Sequence, residues 1–346
     1  IYKNVVFMRV VEFCNELILI WKGDSMINNK LFIILTSLYL QIIWPLELLD
    51  KLFLRNYGTV IEYILLLVNV LLIFYFLFTF CYWEYTSIYL RYIYYIFIAI
   101  GISLVIYRDI FTSGLPFGRL IDLSDRINTI VSTVFFLIFD ISIFLSKVKK
   151  RDCFNLSFPF RSGKFLIMDG GDGRISYFTN YHYYGWKNKQ IKNYNSMRFA
   201  TDITKLNKYG TEGRKMLNLS NNDFNIFGEK VYSPIEGEVV KVVAGQGDNI
   251  PYRKLPNHSG NQITIKNGNY YISLYHFKKE SIVVELGQKL EVGDYLGQVG
   301  NSGYSTRPHL HIQVVYSEDD TYWLGKGIPI IFNNIYPIKN SLINVK

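Results

Sequence analysis

Four apolar stretches in the first 150 residues are long enough to cross a bilayer as helices: Leu31 to Leu49, Val60 to Trp83, Ile88 to Tyr107 and Ile127 to Leu145. A span takes roughly 20 residues of helix. Nothing else in the chain is as constraining, because hydrocarbon gives backbone groups no hydrogen-bond partner and a lone segment can satisfy them only as a helix. Tyr and Trp gather toward the ends of these stretches, as in Tyr82-Trp83 and Tyr92-Ile93-Tyr94-Tyr95, as they do at membrane interfaces. The expectation is a multi-pass region of about four transmembrane helices over residues 27–146, embedded in a lipid bilayer. Glu62 and Asp140 lie within about two turns of a span end, where a carboxylate can reach toward the headgroups.

Residues 1–26 are expected to form an interfacial helix or to reflect a mis-assigned start, since the chain opens on Ile1, with Met8 and Met26 following. From Val5 to Trp21 the polar residues Arg9, Glu12 and Glu16 share one side of an apolar helix, an interfacial pattern. No small-residue cleavage site follows, which argues against a removable signal peptide. Four spans would put both ends of the chain on one side, with Lys22, Lys30, Arg91, Lys147, Lys149, Lys150 and Arg151 there and Lys51, Arg55, Arg108, Arg119 and Arg126 opposite. Seven against five leans the C-terminal part toward the cytoplasm.

Beyond a basic linker, residues 147–163, the pattern changes to short apolar runs broken by Gly, Asn and Asp. The runs Val231 to Val243, Asn261 to Phe277, Ser281 to Gly300 and His309 to Val315 read as strands, and Asn267-Gly268 as a hairpin turn between two of them. The fold class expected is multi-domain: an α-helical transmembrane region followed by a mainly-β domain, residues 164–346, built on an antiparallel sheet. From Arg151 onward there are 24 Lys and Arg against 17 Asp and Glu, a basic balance that suits an anionic polymer or surface. No nucleic-acid-reading motif is present, so nucleic acid is not an expected partner. The three cysteines, Cys14, Cys81 and Cys153, are odd in number and far apart, which gives no disulfide framework.

The chemistry gathers at Gly300-Asn301-Ser302-Gly303-Tyr304-Ser305-Thr306-Arg307-Pro308-His309-Leu310-His311-Ile312-Gln313, a loop feeding a strand that carries two of the five histidines. Alternation puts Leu310, Ile312 and Val314 on one face and His309, His311 and Gln313 on the other. His276 closes another strand, and Asp202 adds a carboxylate upstream. Two imidazoles on one strand face suit a metal site or an acid/base pair.

Asp202, Ser233-Pro234-Ile235-Glu236-Gly237-Glu238-Val239, Gly260-Asn261-Gln262-Ile263, Leu274-Tyr275-His276-Phe277, Val292-Gly293-Asp294-Tyr295-Leu296-Gly297 and Pro308-His309-Leu310-His311 occur in an order that resembles the lysostaphin-like, or LytM-type, zinc metallopeptidases. The likeness covers roughly Phe165 to Val315 and none of the membrane region. It implies a Zn2+-dependent endopeptidase that hydrolyses peptidoglycan peptides. Asp202 and His311 match two zinc ligands of that family, and His276 and His309 match the histidines that flank the attacking water. The usual first ligand, a His four residues before the Asp, is replaced by Arg198. The run Met197-Arg198-Phe199-Ala200-Thr201-Asp202 instead resembles a subgroup whose first ligand comes from an upstream Asn-X-His, the slot of Asn180-Tyr181-His182. The metal set implied is therefore His182, Asp202 and His311, in preference to His258, and Arg198 is expected to pair with a nearby carboxylate. On this resemblance the peptidase domain lies outside the cell membrane. Two alternatives stand beside it: a degenerate homologue that binds wall or activates another hydrolase without cutting, and a cytoplasm-facing peptidase with a different peptide substrate.

Overall fold

Residues 34–54, 59–107, 123–185, 195–214, 220–253, 258–319 and 321–346 are described by a computed structural model. The chain divides into two units, Ile1–Ile141 and Ser142–Lys346. The interfacial helix expected within residues 1–26 lies outside the described residues.

The first unit is helical, with α1 (Trp44–Leu54), α2 (Val60–Phe80), α3 (Leu90–Val105) and the larger part of α4 (Leu123–Lys147). Thr59, in extended conformation, caps α2 by accepting a bond from the Glu62 backbone N–H at 3.2 Å. Among the described residues, two segments are long and apolar enough to cross a membrane, Val60–Phe80 and Arg126–Lys147. Of the first expected span, residues 34–49 are helical, with a π-helical stretch over Tyr39–Ile43. In the third, the turn in which Leu90 N–H bonds Ser87 O at 3.1 Å precedes α3, an apolar helix of 16 residues. Glu62, in the first turn of α2, is buried and pairs with Arg126 at 2.9 Å. Asp140 is buried as well. Asn69 spans two helices, its amide donating to Ser132 at 3.0 Å and Thr133 at 3.1 Å.

The second unit is built on one nine-stranded sheet. Its strands are β2 (Gly163–Asp169), β3 (Thr201–Leu206), β5 (Gly237–Val243), β6 (Gln262–Asn267), β7 (Tyr270–Tyr275), β8 (Lys289–Leu290), β10 (Leu310–Tyr316), β11 (Lys326–Ile328) and β13 (Leu342–Val345). They run in the order β13-β2-β3-β10-β7-β6-β5-β8, with β11 also on β10 and every pairing antiparallel. Two small ladders complete the unit: β1 (Phe154–Leu156) parallel to β12 (Ile330–Phe332), and β4 (Lys230–Tyr232) antiparallel to β9 (Tyr295–Gln298). The hairpin between β6 and β7 turns at Gly268, whose φ of +59° is open to glycine at little cost.

Phe165, Ile167, Ile203, Ile263, Ile265, Ile272, Leu274, Leu310, Ile312 and Val314 fill one core against the sheet. Part of the stretch expected as a linker belongs to it: β1 supplies Leu156, and Phe160 stacks on Phe165 with centroids 4.4 Å apart. The Lys and Arg of residues 147–163 mask apolar side chains whose burial outweighs the local charge. The expected run Ser281 to Gly300 is less regular than supposed, holding only the short β8 and β9.

Candidate metal centre

The site begins as a row of paired residues across the sheet. His311 on β10 stands opposite Asp202 on β3 and opposite Tyr275 on β7, and Asp202 stands opposite Asp169 on β2. Residues directly opposite in an antiparallel ladder point to the same face. A carboxylate and an imidazole 109 positions apart thereby come within 2.9 Å, His311 Nδ1 to Asp202 Oδ1. Leu310, Ile312 and Val314, on the other face of β10, are packed in the core and hold the strand in register.

His182 comes from outside the sheet, at the start of a single helical turn, α5 (His182–Gly185). Its ring stacks on Tyr181 and meets His311 edge-on, with centroids 4.5 and 4.7 Å away. Its Nε2 lies 3.2 Å from Asp202 Oδ2. His182, Asp202 and His311, all buried, offer ligand atoms within 4.8 Å of one another, the one such group among the described residues.

His276 and His309 stand beside this trio. Their ring centroids are 4.7 Å apart, and His309 Nε2 is 3.5 Å from Asp202 Oδ2. Each ring donates through Nδ1 to a backbone carbonyl, His276 to Ser302 at 2.8 Å and His309 to Arg307 at 2.8 Å. That leaves Nε2 of both rings as an acceptor. His276 directly follows β7 with φ +70°, a left-handed backbone that departs from the strand conformation.

Electrostatics sort these groups by role. Burial pushes the Asp202 carboxyl up, but His182 and His309 outweigh it and hold Asp202 well below the usual carboxylate range. Burial works to lower His182, and the Asp202 charge overrides it and raises that imidazole. Burial, with His309 and His311 close by, drives His276 well below its ordinary value, and burial likewise lowers His309. Both flanking rings are therefore neutral near pH 7. Behind the row, burial raises Asp169, with the Lys339 ammonium 3.1 Å away opposing that shift.

The loop before β10 is anchored by Arg307, whose guanidinium pairs with Glu212 at 2.6 Å in a buried bridge. Gly303, at φ +74°, lies so close to Gly260 that a Cβ would fall 2.2 Å from the Gly260 nitrogen, so glycine alone fits that crossing. Arg198 forms a two-pronged pair with Asp172, both bonds 2.7 Å, in line with the expected carboxylate partner. His258 is exposed, with Nδ1 accepting from Gly260 N–H at 3.1 Å, and stands outside the trio. Sequence patterning misses Asp169, Lys339 and Glu212, because single acidic or basic residues far apart in the chain carry no local signal. Tyr275 is half-buried, and burial pushes its phenol up to about 12; its place directly before His276 is the one hint the sequence offers.

Residues 222–322 match the model of peptidase family M23. His276, His309 and His311 fall within that segment, whereas His182 and Asp202 precede it. An uncharacterized metalloprotease of Buchnera aphidicola subsp. Baizongia pistaciae is 47% identical over 76 residues, 22% of this chain and 18% of that protein. Peptidoglycan DD-endopeptidase ShyA of Vibrio cholerae is 37% identical over 104 residues, 30% of this chain and 21% of its own. The chain thus spans about a fifth of the length of the curated relatives it matches. The solved catalytic domain of lysostaphin from Staphylococcus simulans is 22% identical, covering 36% of this chain and 73% of that one with a TM-score of 0.23. The similarity to peptidase family M23 thus covers residues 222–322, within the C-terminal unit.

Proposed function

We propose that the chain is a membrane-anchored zinc endopeptidase that hydrolyses peptide bonds of peptidoglycan. The observation that carries this reading is the convergence of His182, Asp202 and His311 from three separate elements. The donors suit zinc: two imidazoles and a carboxylate make an N/O set with no thiolate, as in catalytic sites that keep a fourth position open. In a tetrahedral site with bonds of about 2.0–2.1 Å, neighbouring donors sit roughly 3.3 Å apart. Asp202 approaches His311 through Oδ1 at 2.9 Å and His182 through Oδ2 at 3.2 Å, and the three ligand atoms lie within 4.8 Å of one another, close enough to share one ion.

Bound zinc supplies a Lewis acid that polarises a peptide carbonyl and brings the pKa of water toward about 7. The flanking histidines do the rest. His309 and His276 are neutral, with Nδ1 tied to backbone carbonyls, so each points a basic Nε2 into the site. One can take the proton of the attacking water, and in protonated form either can donate to the oxygen that gains charge. Full-length protein in detergent, incubated with purified peptidoglycan, is expected to hold about one zinc per chain and to release new free amino groups. Stoichiometric zinc without release would favour the non-cleaving alternative, and absence of zinc would overturn the enzyme reading.

α2 and the apolar length of α4 support membrane anchoring, and the substrate supports placing the peptidase domain outside the cytoplasmic membrane, against the Lys/Arg count. Cys153 is a poor reporter of sidedness, since it is half-buried, donates to Lys150 O at 3.1 Å and has its thiol pKa pushed up by burial. Leu286 is 71% exposed and serves better. With the native cysteines replaced by serine, Leu286→Cys in wall-stripped cells is expected to react with a membrane-impermeant maleimide. Labelling only after lysis would assign the domain to the cytoplasm.

A further inference from the structure

We infer that the loop over residues 172–178, which leads to His182, is a bilayer-contact element: its exposed Ile175 and Tyr177, with Arg174 beside them, sit in the headgroup region of the membrane that α4 crosses. The inference rests on the membrane-anchoring reading above.

The height of the loop is set by the end of α4. From Ser142 onward that helix belongs to the same unit as the sheet. Ser142 and Ser146, one turn apart, share a side of it. Ser146 Oγ donates to Asp172 O at 3.0 Å and lies 2.6 Å from Thr179 Oγ1, while Asp172 N–H donates to Ser146 O at 3.1 Å. One turn further back, Ser142 Oγ donates to Ser176 Oγ at 3.3 Å. Lys150, just past the helix, pairs with Asp172 at 3.3 Å. The loop is thus bonded at both ends and in the middle to the last turns of α4. Ser176 is level with Ser142, about 7.5 Å of helix short of Lys147.

Length decides where that level falls. The apolar segment Arg126–Lys147 has 22 residues and rises about 33 Å, against a hydrocarbon core of roughly 30 Å. Withdrawing the stretch from Ser142 to Lys147 from the bilayer would leave about 24 Å, too short to cross. Ser142 and the loop bonded to it therefore lie at the lipid boundary. The side chains there suit it. Phe144, Leu145 and Val148 at the helix end are exposed, and so are Ile175 and Tyr177, the latter 55% exposed, on either side of the buried Ser176. Lys147, Lys149, Lys150 and Arg151 follow the apolar length, and Arg174 is exposed on the loop. Aliphatic groups and a tyrosine flanked by long cations are the composition of a membrane interface, where rings sit among the headgroups and ammonium or guanidinium ends reach to water. His182 follows Tyr177 by five residues, so one member of the metal-binding group is carried on a loop held at the lipid surface.

The test uses full-length protein in lipid nanodiscs, with the native cysteines replaced by serine and a single new cysteine carrying an environment-sensitive fluorophore. Tyr177→Cys, Phe144→Cys and Leu286→Cys are compared in discs whose lipid bears a nitroxide at the top of the acyl chain. All three positions are exposed, where substitution has little effect on stability. Leu286 precedes β8, at the far edge of the sheet from β2, and serves as the control. An interfacial element sits about 5–10 Å into the headgroup/acyl boundary, so the Tyr177→Cys probe is expected to be quenched roughly two-fold or more by the nitroxide. Phe144→Cys should be quenched as well, and Leu286→Cys should keep its emission. Phe144→Cys quenched with Tyr177→Cys unquenched, or Leu286→Cys quenched as strongly as Tyr177→Cys, would overturn the inference and leave the anchoring reading standing. Phe144→Cys unquenched would overturn the anchoring reading, and this inference with it.

Discussion

His311→Ala is expected to lose zinc and peptide cleavage together. The substitution leaves Asp202 and His182 as a two-ligand site and removes one of the two imidazoles within 3.2 Å of the Asp202 carboxylate. Loss of a direct ligand should exceed the roughly 10–100-fold that an outer partner contributes to affinity, so metal content at micromolar zinc should fall to background. His182→Ala should behave in the same way, although His182 precedes the segment that matches the family. His258→Ala is the control, since that ring is exposed and apart from the trio. Zinc stoichiometry of the three purified variants, side by side, decides the assignment. Zinc retained in His182→Ala and lost in His258→Ala would move the first ligand to His258.

His309→Ala should separate binding from turnover. His309 approaches Asp202 only at 3.5 Å, and its Nδ1 is committed to the Arg307 carbonyl, so the zinc set survives its removal. What disappears is a neutral base poised beside the site. Losing an acid/base or oxyanion partner typically lowers turnover by roughly 100-fold or more, and the cleavage rate at saturating substrate should fall by that much with zinc near one per chain. A variant that loses its zinc would show that the roles within the His309-Leu310-His311 pair are reversed.

These two outcomes bear on residues that differ in how far the sequence reveals them. The strand β10, which His309 directly precedes, is legible from alternation alone, because a period of two fixes which side chains share a face before any partner strand is known. The Asn267-Gly268 hairpin and the strands around it are legible for the same local reason. Apolar length likewise marks α2 and α4 as long apolar helices. Hydropathy does not register the π-helical stretch at Tyr39–Ile43 or the turn at Ser87. The basic stretch 147–163 hides β1 in a similar way, because pairing with β12, about 175 positions later, has no trace in local composition.

What the sequence by itself determined is local: the helical and β halves, the faces of β10 and the imidazoles they present. The resemblance to the lysostaphin-like peptidases pointed to His182 and Asp202, but motif order carries no distances. Only the tertiary structure decided that His182 Nε2, Asp202 and His311 Nδ1 meet at hydrogen-bond range, that Lys339 lies against Asp169 behind them, and that Asn180 and Gln313 face the two rings. The physical reason is that strand register and the crossing of loops bring together residues more than 100 positions apart, and no local propensity encodes a pairing between segments that meet only after the core has closed.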